Sequence, residues 1–586
     1  MTTNEPDEAG LEPAGAREKR TPGADNLDHE ALDHDALDHE ALGHEALGDE
    51  ARWHGARRRS FDLEEHGDVL MAILDEIRAA PNLSQRELSL IMRQNTLPDG
   101  DMLSKDRIIK GYRELCRLQD REPEPSILLR LRVKPTRTIS GVAPVAVLTE
   151  PHPCPGECIF CPEPEGMPKS YLPDEPGAMR AASHQFDPAD QTASRIATLR
   201  EIGHSVDKVE LLILGGSWSA YPKTYQAWFV RRCLDAMNGR LSGSLEEAQA
   251  LNELAEHRNV GLVVETRPDL ITVEEVQRLR WLGVTKVQLG MQSLDDEILA
   301  LNHRGHGAAE TRRAMRLLRL SGFKMVVHWM PNLLGATPAS DLQDFRRLWQ
   351  DPAMRPDELK IYPTALLEDT ALYELWERGE YKPYDEETLV GLLARCKTLI
   401  PRYCRVNRLM RDIPAPNIVS GVTKSNLRQI VQQHMAREGL ACECVRCREV
   451  RGEPTDPATL RLRELAYDTD ASRELFLEFT TPQDGLAGFL RLSLPREQPP
   501  VAELHGCATI REVHVYGPAL DLGAEIETAP QHMGLGTELI EEAARVARQA
   551  GYDRLAVIAA VGTRPYYRDR GFDLTRPRPL YMLRDL

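Results

Sequence analysis

Apolar β-type runs alternate with helical patterns over about 270 residues in the middle of the chain. Segments between the runs, such as VEEVQRLRWLG, carry apolar residues at helical spacing. Because strand–helix alternation is typical of parallel sheets, we expect an α/β domain that forms a partial (βα)6, TIM-like barrel. Its active site should lie where the carboxyl ends of the strands meet. Six candidate strands can be read, at residues 145–149, 209–214, 261–266, 286–291, 324–330 and 358–364.

Three cysteines, Cys154, Cys158 and Cys161, follow the first of these strands. A structural zinc site needs four ligands in a tetrahedral array, whereas Cys-x3-Cys-x2-Cys supplies three from one loop. Soft thiolates suit an iron–sulfur cluster, and a cluster with three protein thiolates keeps one iron open for another ligand. The spacing therefore favours a cluster that binds a cofactor, with zinc or a purely structural cluster as the alternative.

The second strand ends in a glycine-rich turn, Gly215-Gly216-Ser217. Glycine lets the backbone approach a ligand closely and adopt a positive φ. We therefore expect this turn to lie beside the cofactor that the cysteine loop implies.

The last 115 or so residues have a different pattern, typical of a small α+β domain. β-type runs at 475–481, 488–494 and 509–517 precede Gln531-His532-Met533-Gly534-Leu535-Gly536, which opens a helix that ends at Gly551. Such a turn directs backbone N–H groups and the positive end of the helix dipole at an anion, here a pyrophosphate. A further strand and then Tyr566-Tyr567 follow. These tyrosines either belong to the site that the glycine turn indicates or only pack in the core.

The negative charge of the chain is concentrated at its start. The net charge is −18, and residues 1–50 hold 15 acidic and 3 basic residues, so the rest of the chain carries only −6. Near-copies of LDHEA repeat every five residues there, which places no continuous apolar face on a helix. We expect residues 1–58 to be a disordered acidic tail. A nearly balanced body still permits a local basic surface for nucleic acid.

Several basic residues in and just after the barrel region are candidates for RNA binding. Arginines recur every third residue from 402 to 411, which gives a near-continuous basic row in a helical or an irregular segment. Internal salt bridges are the alternative. The RNA-binding candidates are Lys134, Arg137, Arg402, Arg405, Arg408, Arg411, Lys424 and Arg428.

A second cysteine group, Cys442, Cys444 and Cys447, lies between the two patterned regions, with His434 upstream. Three cysteines and a histidine could close a tetrahedral zinc site. Free thiols are the alternative. Clustered cysteines and the lack of an apolar run of 18 residues make the cytoplasm the expected compartment and a membrane partner unexpected.

These motifs resemble known families. The cysteine loop and the glycine turn are similar to the radical S-adenosylmethionine superfamily, and the C-terminal pattern is similar to the GNAT acetyltransferases. Together with KPTRTISGV, HSVDKVE, ETRPD, NHRGH, HWMPNL and RDIP, in that order, they resemble the family of the elongator complex catalytic subunit, which modifies uridine 34 of tRNA. This resemblance covers the chain from about residue 61 to its end.

The resemblance implies a [4Fe–4S] cluster, S-adenosylmethionine and acetyl-coenzyme A as cofactors. A 5′-deoxyadenosyl radical would activate the acetyl methyl group, which adds to C5 of the wobble uridine and gives 5-carboxymethyluridine. Gly215, Gly216 and Ser217 would contact S-adenosylmethionine, and Tyr567 and Lys208 would be catalytic. The implied acetyl-coenzyme A contacts are Lys208, Glu512, Val513, His514, Val515, Gln531, His532, Gly534, Gly536 and Tyr567.

Other functions and the partners follow from the same patterns. A protein lysine acetyltransferase with a structural iron–sulfur domain is the main alternative, and a catalytically inactive tRNA-binding module is another. The expected partner is the tRNA anticodon loop, with a homodimer or a larger assembly possible. The expected parts are a tail (1–58), a small helical tRNA-binding module (59–130), a radical domain (131–415), a linker with the possible zinc site (416–455) and an acetyltransferase domain (456–586).

Overall fold

A computed structural model describes residues 62–80, 83, 85–97, 100–133, 138, 141–450, 455–516, 534–574 and 579–586. The predicted disordered tail lies outside these residues, as do four of the candidate site residues. Those four are Lys134, Arg137, Gln531 and His532.

Four helices form the first described region. Asp62 caps the first of them, because its side chain accepts hydrogen bonds from the N–H groups of Glu64 and Glu65. Apolar residues of all four helices share one buried cluster. The helices are α1 (Leu63–Ala79), α2 (Gln85–Gln94), α3 (Lys105–Leu118) and α4 (Pro125–Leu131).

A seven-stranded parallel sheet follows, with its strands in chain order. This sheet is an open half-barrel, so the predicted α/β barrel class is confirmed. Apolar side chains of its strands are fully buried, as in β5, where Met325, Val327 and Trp329 are 0% exposed. The strands are β1 (Ala143–Leu148), β2 (Lys208–Leu214), β3 (Arg258–Thr266), β4 (Lys286–Gln292), β5 (Lys324–Trp329), β6 (Glu358–Ile361) and β7 (Arg405–Arg408).

The six predicted strands are present, and β7 is an addition to them. Its sequence, Arg-Val-Asn-Arg, has a single apolar side chain, Val406, and so gives no strand signal. Helices connect and follow the strands. They are α5 (Pro176–Ser183), α6 (Pro188–Glu201), α7 (Lys223–Asn238), α8 (Leu245–Asn252), α9 (Val273–Trp281), α10 (Asp296–Leu301), α11 (Ala308–Leu320), α12 (Pro338–Gln350), α13 (Ala371–Glu377), α14 (Glu386–Thr398), α15 (Leu427–Arg437) and α16 (Val445–Arg448).

The C-terminal domain is a six-stranded sheet with one long helix, which confirms the predicted α+β class. Strands β11 and β12 pair in parallel, and the other neighbours pair antiparallel. The predicted helix after the glycine turn is present, and Gly551 beyond its end has a φ of +88°. The elements are β8 (Arg461–Asp468), β9 (Ser472–Thr480), β10 (Leu486–Pro495), β11 (Cys507–Val515), α17 (Leu535–Gln549), β12 (Arg554–Val557), α18 (Arg564–Arg568) and β13 (Met582–Asp585).

The second domain packs against the amino-terminal end of the half-barrel. Gly562 is required there, because a Cβ on it would lie 2.8 Å from the carbonyl oxygen of Asn259 at the start of β3. The Tyr581 hydroxyl donates to the carbonyl oxygen of Ser321 at 2.7 Å. One buried apolar cluster contains residues of both domains, including Phe476 and Phe489.

Buried charges join the same two surfaces. Arg511 of β11 makes two hydrogen bonds to Asp357, which precedes β6, at 2.7 and 2.8 Å. Both side chains are 0% exposed. Lys324, the first residue of β5, contacts both Glu358 and Glu512. Within the described residues, no helix has the length and apolar character needed to cross a membrane.

Candidate active site

One large cavity runs through the interior of the half-barrel. Its volume is about 1440 Å³, and inward-facing residues of all seven strands line it. The cysteine loop lines the cavity at the carboxyl ends of the strands. Residues of β11 and Tyr567 of the second domain also line it, and β11 reaches it at the amino-terminal end, where Glu512 contacts Lys324. The half-barrel and the second domain therefore enclose a single space.

The cysteine loop and the glycine turn meet at one end of this cavity. All three predicted cluster cysteines line the cavity, as do Gly216 and Ser217. The sulfur of Cys154 lies 3.7 Å from the hydroxyl oxygen of Ser217. Cys158 is nearly buried, and burial raises the pKa of the Cys161 thiol to about 11. The loop thus presents three thiol groups to a space that the glycine turn also borders.

Position 215 requires glycine for two reasons, a positive φ and the close approach of another residue. Its φ is +116°, and a Cβ on it would lie 2.2 Å from the hydroxyl oxygen of Thr149. That hydroxyl donates to the Gly215 carbonyl oxygen at 2.9 Å and bonds to the Tyr221 hydroxyl at 2.7 Å. The turn is therefore held in place by β1, directly before the cysteine loop.

Polar side chains occupy the middle of the cavity. A Glu265 oxygen lies 3.4 Å from Nδ1 of His328, and Nε2 of His328 lies 3.2 Å from the side-chain oxygen of Gln288. Burial holds the pKa of His328 well below its usual value, so the ring is neutral at pH 7. A polar lining of this kind suits a polar substrate better than an apolar one.

Tyr567 lies at the second-domain side of the cavity. Its ring packs edge-on against Tyr566 and Phe572, and the residue is 8% exposed. Burial raises the pKa of Tyr567, so its hydroxyl keeps a proton that it can donate. Tyr566 packs beside Gly536, where a Cβ would lie 2.5 Å from the Tyr566 hydroxyl oxygen.

His514 in β11 also faces the cavity. Burial lowers the pKa of His514 to about 4, so the ring is neutral. Its Nε2 atom is buried and has no hydrogen-bond partner among the described residues. Such a nitrogen can accept or donate one hydrogen bond to a bound molecule. Gly534, with a φ of +74°, caps α17.

Lys208 is at the start of β2, half-buried. It is the parallel neighbour of Arg258 in β3, and Gly562 of the second domain packs against Arg258. Lys208 is therefore close to the junction of the domains, although it is not among the residues that line the cavity.

The predicted basic row is mostly occupied by internal ion pairs. Arg402 pairs with Asp484 and Glu478, and Arg405 pairs with Glu449. These are the internal salt bridges that the sequence leaves open as the alternative, because spacing alone cannot identify acids from distant segments.

Two further candidates are also held inside the protein. Arg411 contacts Glu175 and Ser170, and Arg428 donates to the carbonyl oxygens of Val406 and Asn407. Arg408 and Lys424 are about half exposed and pair with surface acids. These two, with Lys134 and Arg137 outside the described residues, are the candidates left for contacts with RNA.

The second cysteine group comes together as predicted, but without His434. The sulfur atoms of Cys442, Cys444 and Cys447 all lie within 4.8 Å of one another, and His434 is not part of the group. Hydrogen bonds from Cys442 and Cys447 hold the pKa of Cys444 below its usual value. The buried ammonium of Lys397 lies 3.8 Å from the Cys447 sulfur. Three sulfur atoms therefore lie close enough together to hold a metal ion.

Sequence reasoning assigned no role to several residues of the cavity. Arg267 and Arg304 belong to the quoted motifs ETRPD and NHRGH, and both line the cavity near the cysteine loop. Arg267 directly follows β3. Its position at the carboxyl end of a barrel strand could have identified it as a candidate site residue. Lys324 gave no signal, because a lone lysine at a strand start is common.

Comparisons with known proteins agree with the two-domain arrangement. The model of the radical SAM superfamily matches residues 152–348, its C-terminal domain matches 356–437, and the acetyltransferase (GNAT) family matches 443–572. A solved structure of archaeal Elp3 from Methanocaldococcus infernus is 40% identical, with a TM-score of 0.68, and the match covers 77% of this chain and 100% of that one.

Curated relatives match most of this chain and most of their own length. The tRNA uridine(34) acetyltransferase of Dehalococcoides mccartyi is 44% identical over 75% of this chain and 97% of its own. Elongator complex protein 3 of Homo sapiens is 38% identical over 78% of this chain and 87% of its own. The chain belongs to the family of tRNA uridine(34) acetyltransferases and elongator complex protein 3.

Proposed function

We propose that this protein converts the wobble uridine of tRNA to 5-carboxymethyluridine with S-adenosylmethionine and acetyl-coenzyme A. The observation that carries the proposal is the single cavity, which the cysteine loop and residues of the acetyltransferase domain both line. Strand β2 has seven residues, so the cysteine-loop end and the acetyltransferase end of the cavity are separated by roughly 23 Å. The acetyl arm and the uridine would have to meet inside this space.

The cysteine end fits the cofactors that the radical SAM domain implies. Cys154, Cys158 and Cys161 would hold a [4Fe–4S] cluster, and the turn at Gly215, Gly216 and Ser217 would lie along S-adenosylmethionine. When bound, these groups would supply the radical that removes hydrogen from the acetyl methyl group. With tRNA seated on the open side, the interior of the half-barrel would shield such a reactive species from side reactions with water.

The other end fits the thioester of acetyl-coenzyme A. The start of α17, with Gly534 at its helix cap, has free backbone N–H groups of the kind that would bind a pyrophosphate. The protonated Tyr567 hydroxyl would donate to the departing thiolate when the thioester is hydrolysed. His514, with its buried Nε2 atom, would hydrogen-bond to the acyl group or to the attacking water.

The tRNA would approach from the open side of the half-barrel. A uridine must turn outward from the anticodon loop to enter a cavity, and phosphate contacts hold the loop in place. Arg408 lines the cavity and is exposed, so it is our main candidate for such a contact, with Lys424 nearby in sequence. A tRNA substrate also supports the cytoplasmic compartment expected from the sequence.

An anaerobic assay tests the proposal. We would incubate tRNA with reconstituted protein, dithionite, S-adenosylmethionine and acetyl-coenzyme A, and analyse the nucleosides by mass spectrometry. We expect 5-carboxymethyluridine with the wild type, and none with Cys158→Ala. Cys233→Ala, at a buried cysteine in α7, is the matched control and should keep activity. Unmodified uridine with an intact cluster would contradict the proposal, and acetylated protein instead would favour the lysine acetyltransferase alternative.

We also propose that Cys442, Cys444 and Cys447 bind zinc. The sulfur geometry supports a metal site, and thiolate ligands suit zinc. Metal analysis of the wild type and of Cys444→Ser decides this, because the variant should lose about one zinc and keep its iron. Loss of iron in Cys444→Ser would instead assign the site to iron, and no loss of metal would leave free thiols.

A further inference from the structure

Two buried arginines from different segments of the half-barrel converge on the cysteine loop. Arg304, which follows α10, donates from Nη1 to the Cys158 sulfur at 3.3 Å and from Nη2 to the carbonyl oxygen of Gly290. Arg267, which follows β3, donates from Nη2 to the carbonyl oxygen of Arg304 at 2.8 Å. The Arg267 guanidinium thus binds the backbone of Arg304, and the Arg304 guanidinium binds the loop.

The Arg267 side chain extends toward the cysteine loop and has one nitrogen atom that makes no hydrogen bond among the described residues. Its Nε and Nη2 atoms bind the Asp269 carboxylate, but its Nη1 is buried and has no hydrogen-bond partner among the described residues. A Cβ on Gly156, between two of the cysteines, would lie 2.1 Å from this Nη1. Gly156 therefore makes room for the guanidinium, and the same Cβ would lie 3.6 Å from the Cys158 sulfur, so the unused N–H group is near that sulfur.

The charge of Arg304 is not balanced by protein acids. The residue is 6% exposed, and its guanidinium bonds to the Cys158 sulfur and the Gly290 carbonyl oxygen, with no ion pair to an acid among the described residues. A buried cation without a partner is strongly unfavourable, whereas a cation beside an anion at low dielectric is favourable. The arrangement therefore calls for an anionic group at the cysteine loop, and an iron–sulfur cluster on three thiolates is negatively charged.

We propose that Arg304 and Arg267 hold the cluster through hydrogen bonds to sulfur and raise its reduction potential. This proposal rests on the cluster that the proposed function requires. Reduction adds one electron, supplied by an external low-potential reductant such as dithionite, and so adds one negative charge beside the two guanidinium groups. Fixed positive charge stabilises the reduced form more than the oxidised form, and hydrogen bonds to sulfur act in the same direction.

The test is a redox titration followed by EPR, without S-adenosylmethionine, tRNA or acetyl-coenzyme A. Arg304→Gln should bind iron and show a midpoint potential at least about 59 mV more negative, which is a tenfold change for a one-electron couple. Arg304→Lys keeps the positive charge but lacks the paired N–H groups of the guanidinium. Its midpoint potential should therefore lie between those of the wild type and Arg304→Gln. Arg319→Gln is the matched control, since Arg319 is 1% exposed and donates to the carbonyl oxygens of Met354 and Arg355.

A wild-type potential in Arg304→Gln with full iron content would overturn the proposal. If that variant holds too little iron for titration, Arg267→Gln decides in the same way, with a negative shift expected and an unchanged potential refuting the idea. The readout requires no tRNA product. A protein with the predicted potentials that fails to modify tRNA would therefore contradict the proposed function and leave this inference standing.

Discussion

The buried ion pair between the domains allows a quantitative prediction. Asp357 accepts two hydrogen bonds from Arg511 and one from the backbone N–H of Met325, and it is fully buried. Asp357→Asn keeps the size of the side chain but leaves Arg511 with a single acid, Glu474. Breaking a buried pair by removing one partner costs about 3–5 kcal/mol. We expect the free energy of unfolding to fall by that amount.

Urea denaturation followed by circular dichroism measures the loss. Because the pair joins the domains, Asp357→Asn should also separate their unfolding into two transitions. Glu541→Gln is the control, since Glu541 is about half exposed and surface ion pairs of this kind contribute under about 1 kcal/mol. Equal urea midpoints of unfolding for Asp357→Asn and Glu541→Gln would refute the reasoning.

The pH dependence gives a second check on the same residue. Burial alone would raise the pKa of Asp357, but Arg511 and Arg491 hold it below its usual value. A depressed pKa adds stability above the unfolded value of about 3.9, and this stability is lost as the pH falls through the folded pKa. The difference between the wild type and Asp357→Asn should therefore be constant near pH 7 and shrink below pH 4.

Three further predictions concern other parts of the molecule. Tyr567→Phe should lower the rate of carboxymethylation by about 10²- to 10⁴-fold with unchanged iron content, as followed by nucleoside mass spectrometry; an unchanged rate would exclude Tyr567 as the acid. Gly215→Ala should lower the melting temperature more than Gly216→Ala, because its Cβ would clash with Thr149 while Gly216 meets its nearest atom at 3.8 Å. Burial raises the pKa of Asp341 to about 7, so the wild type should lose unfolding free energy as the pH rises from about 4 to 7, and Asp341→Asn should not; equal slopes would contradict this.

The barrel was predictable from sequence where its strands are buried in apolar surroundings. Strand β5 reads as an apolar run because Met325, Val327 and Trp329 are fully buried. Strand β7 has no such signal, since Arg405 pairs with Glu449 and Asn407 donates to Glu358 inside the polar cavity. A strand that lines a polar cavity has polar residues at positions where a buried strand would have apolar ones. Such a strand cannot be recognised from an apolar run in the sequence.

The basic row illustrates a limit of a different kind. Arg411 follows the spacing of its neighbours, yet its acid partner, Glu175, is 236 residues away in the chain. Local spacing indicates which side chains are close along the chain, but it carries no information on partners that the fold brings from elsewhere. That Cys154, Cys158 and Cys161 lie together was predictable for the opposite reason, because a single loop supplies all of them.

The join between the domains accounts for the cavity itself. In a closed eight-stranded barrel, side chains fill the interior. Here seven strands form an open half-barrel, and β11 contributes Glu512 and His514 to the space at its amino-terminal end. Lys324 binds an acid from each domain there, so the contact that fastens the domains also forms the floor of the cavity. A half-barrel without the second domain would therefore lack this floor, so the cavity depends on both domains being joined.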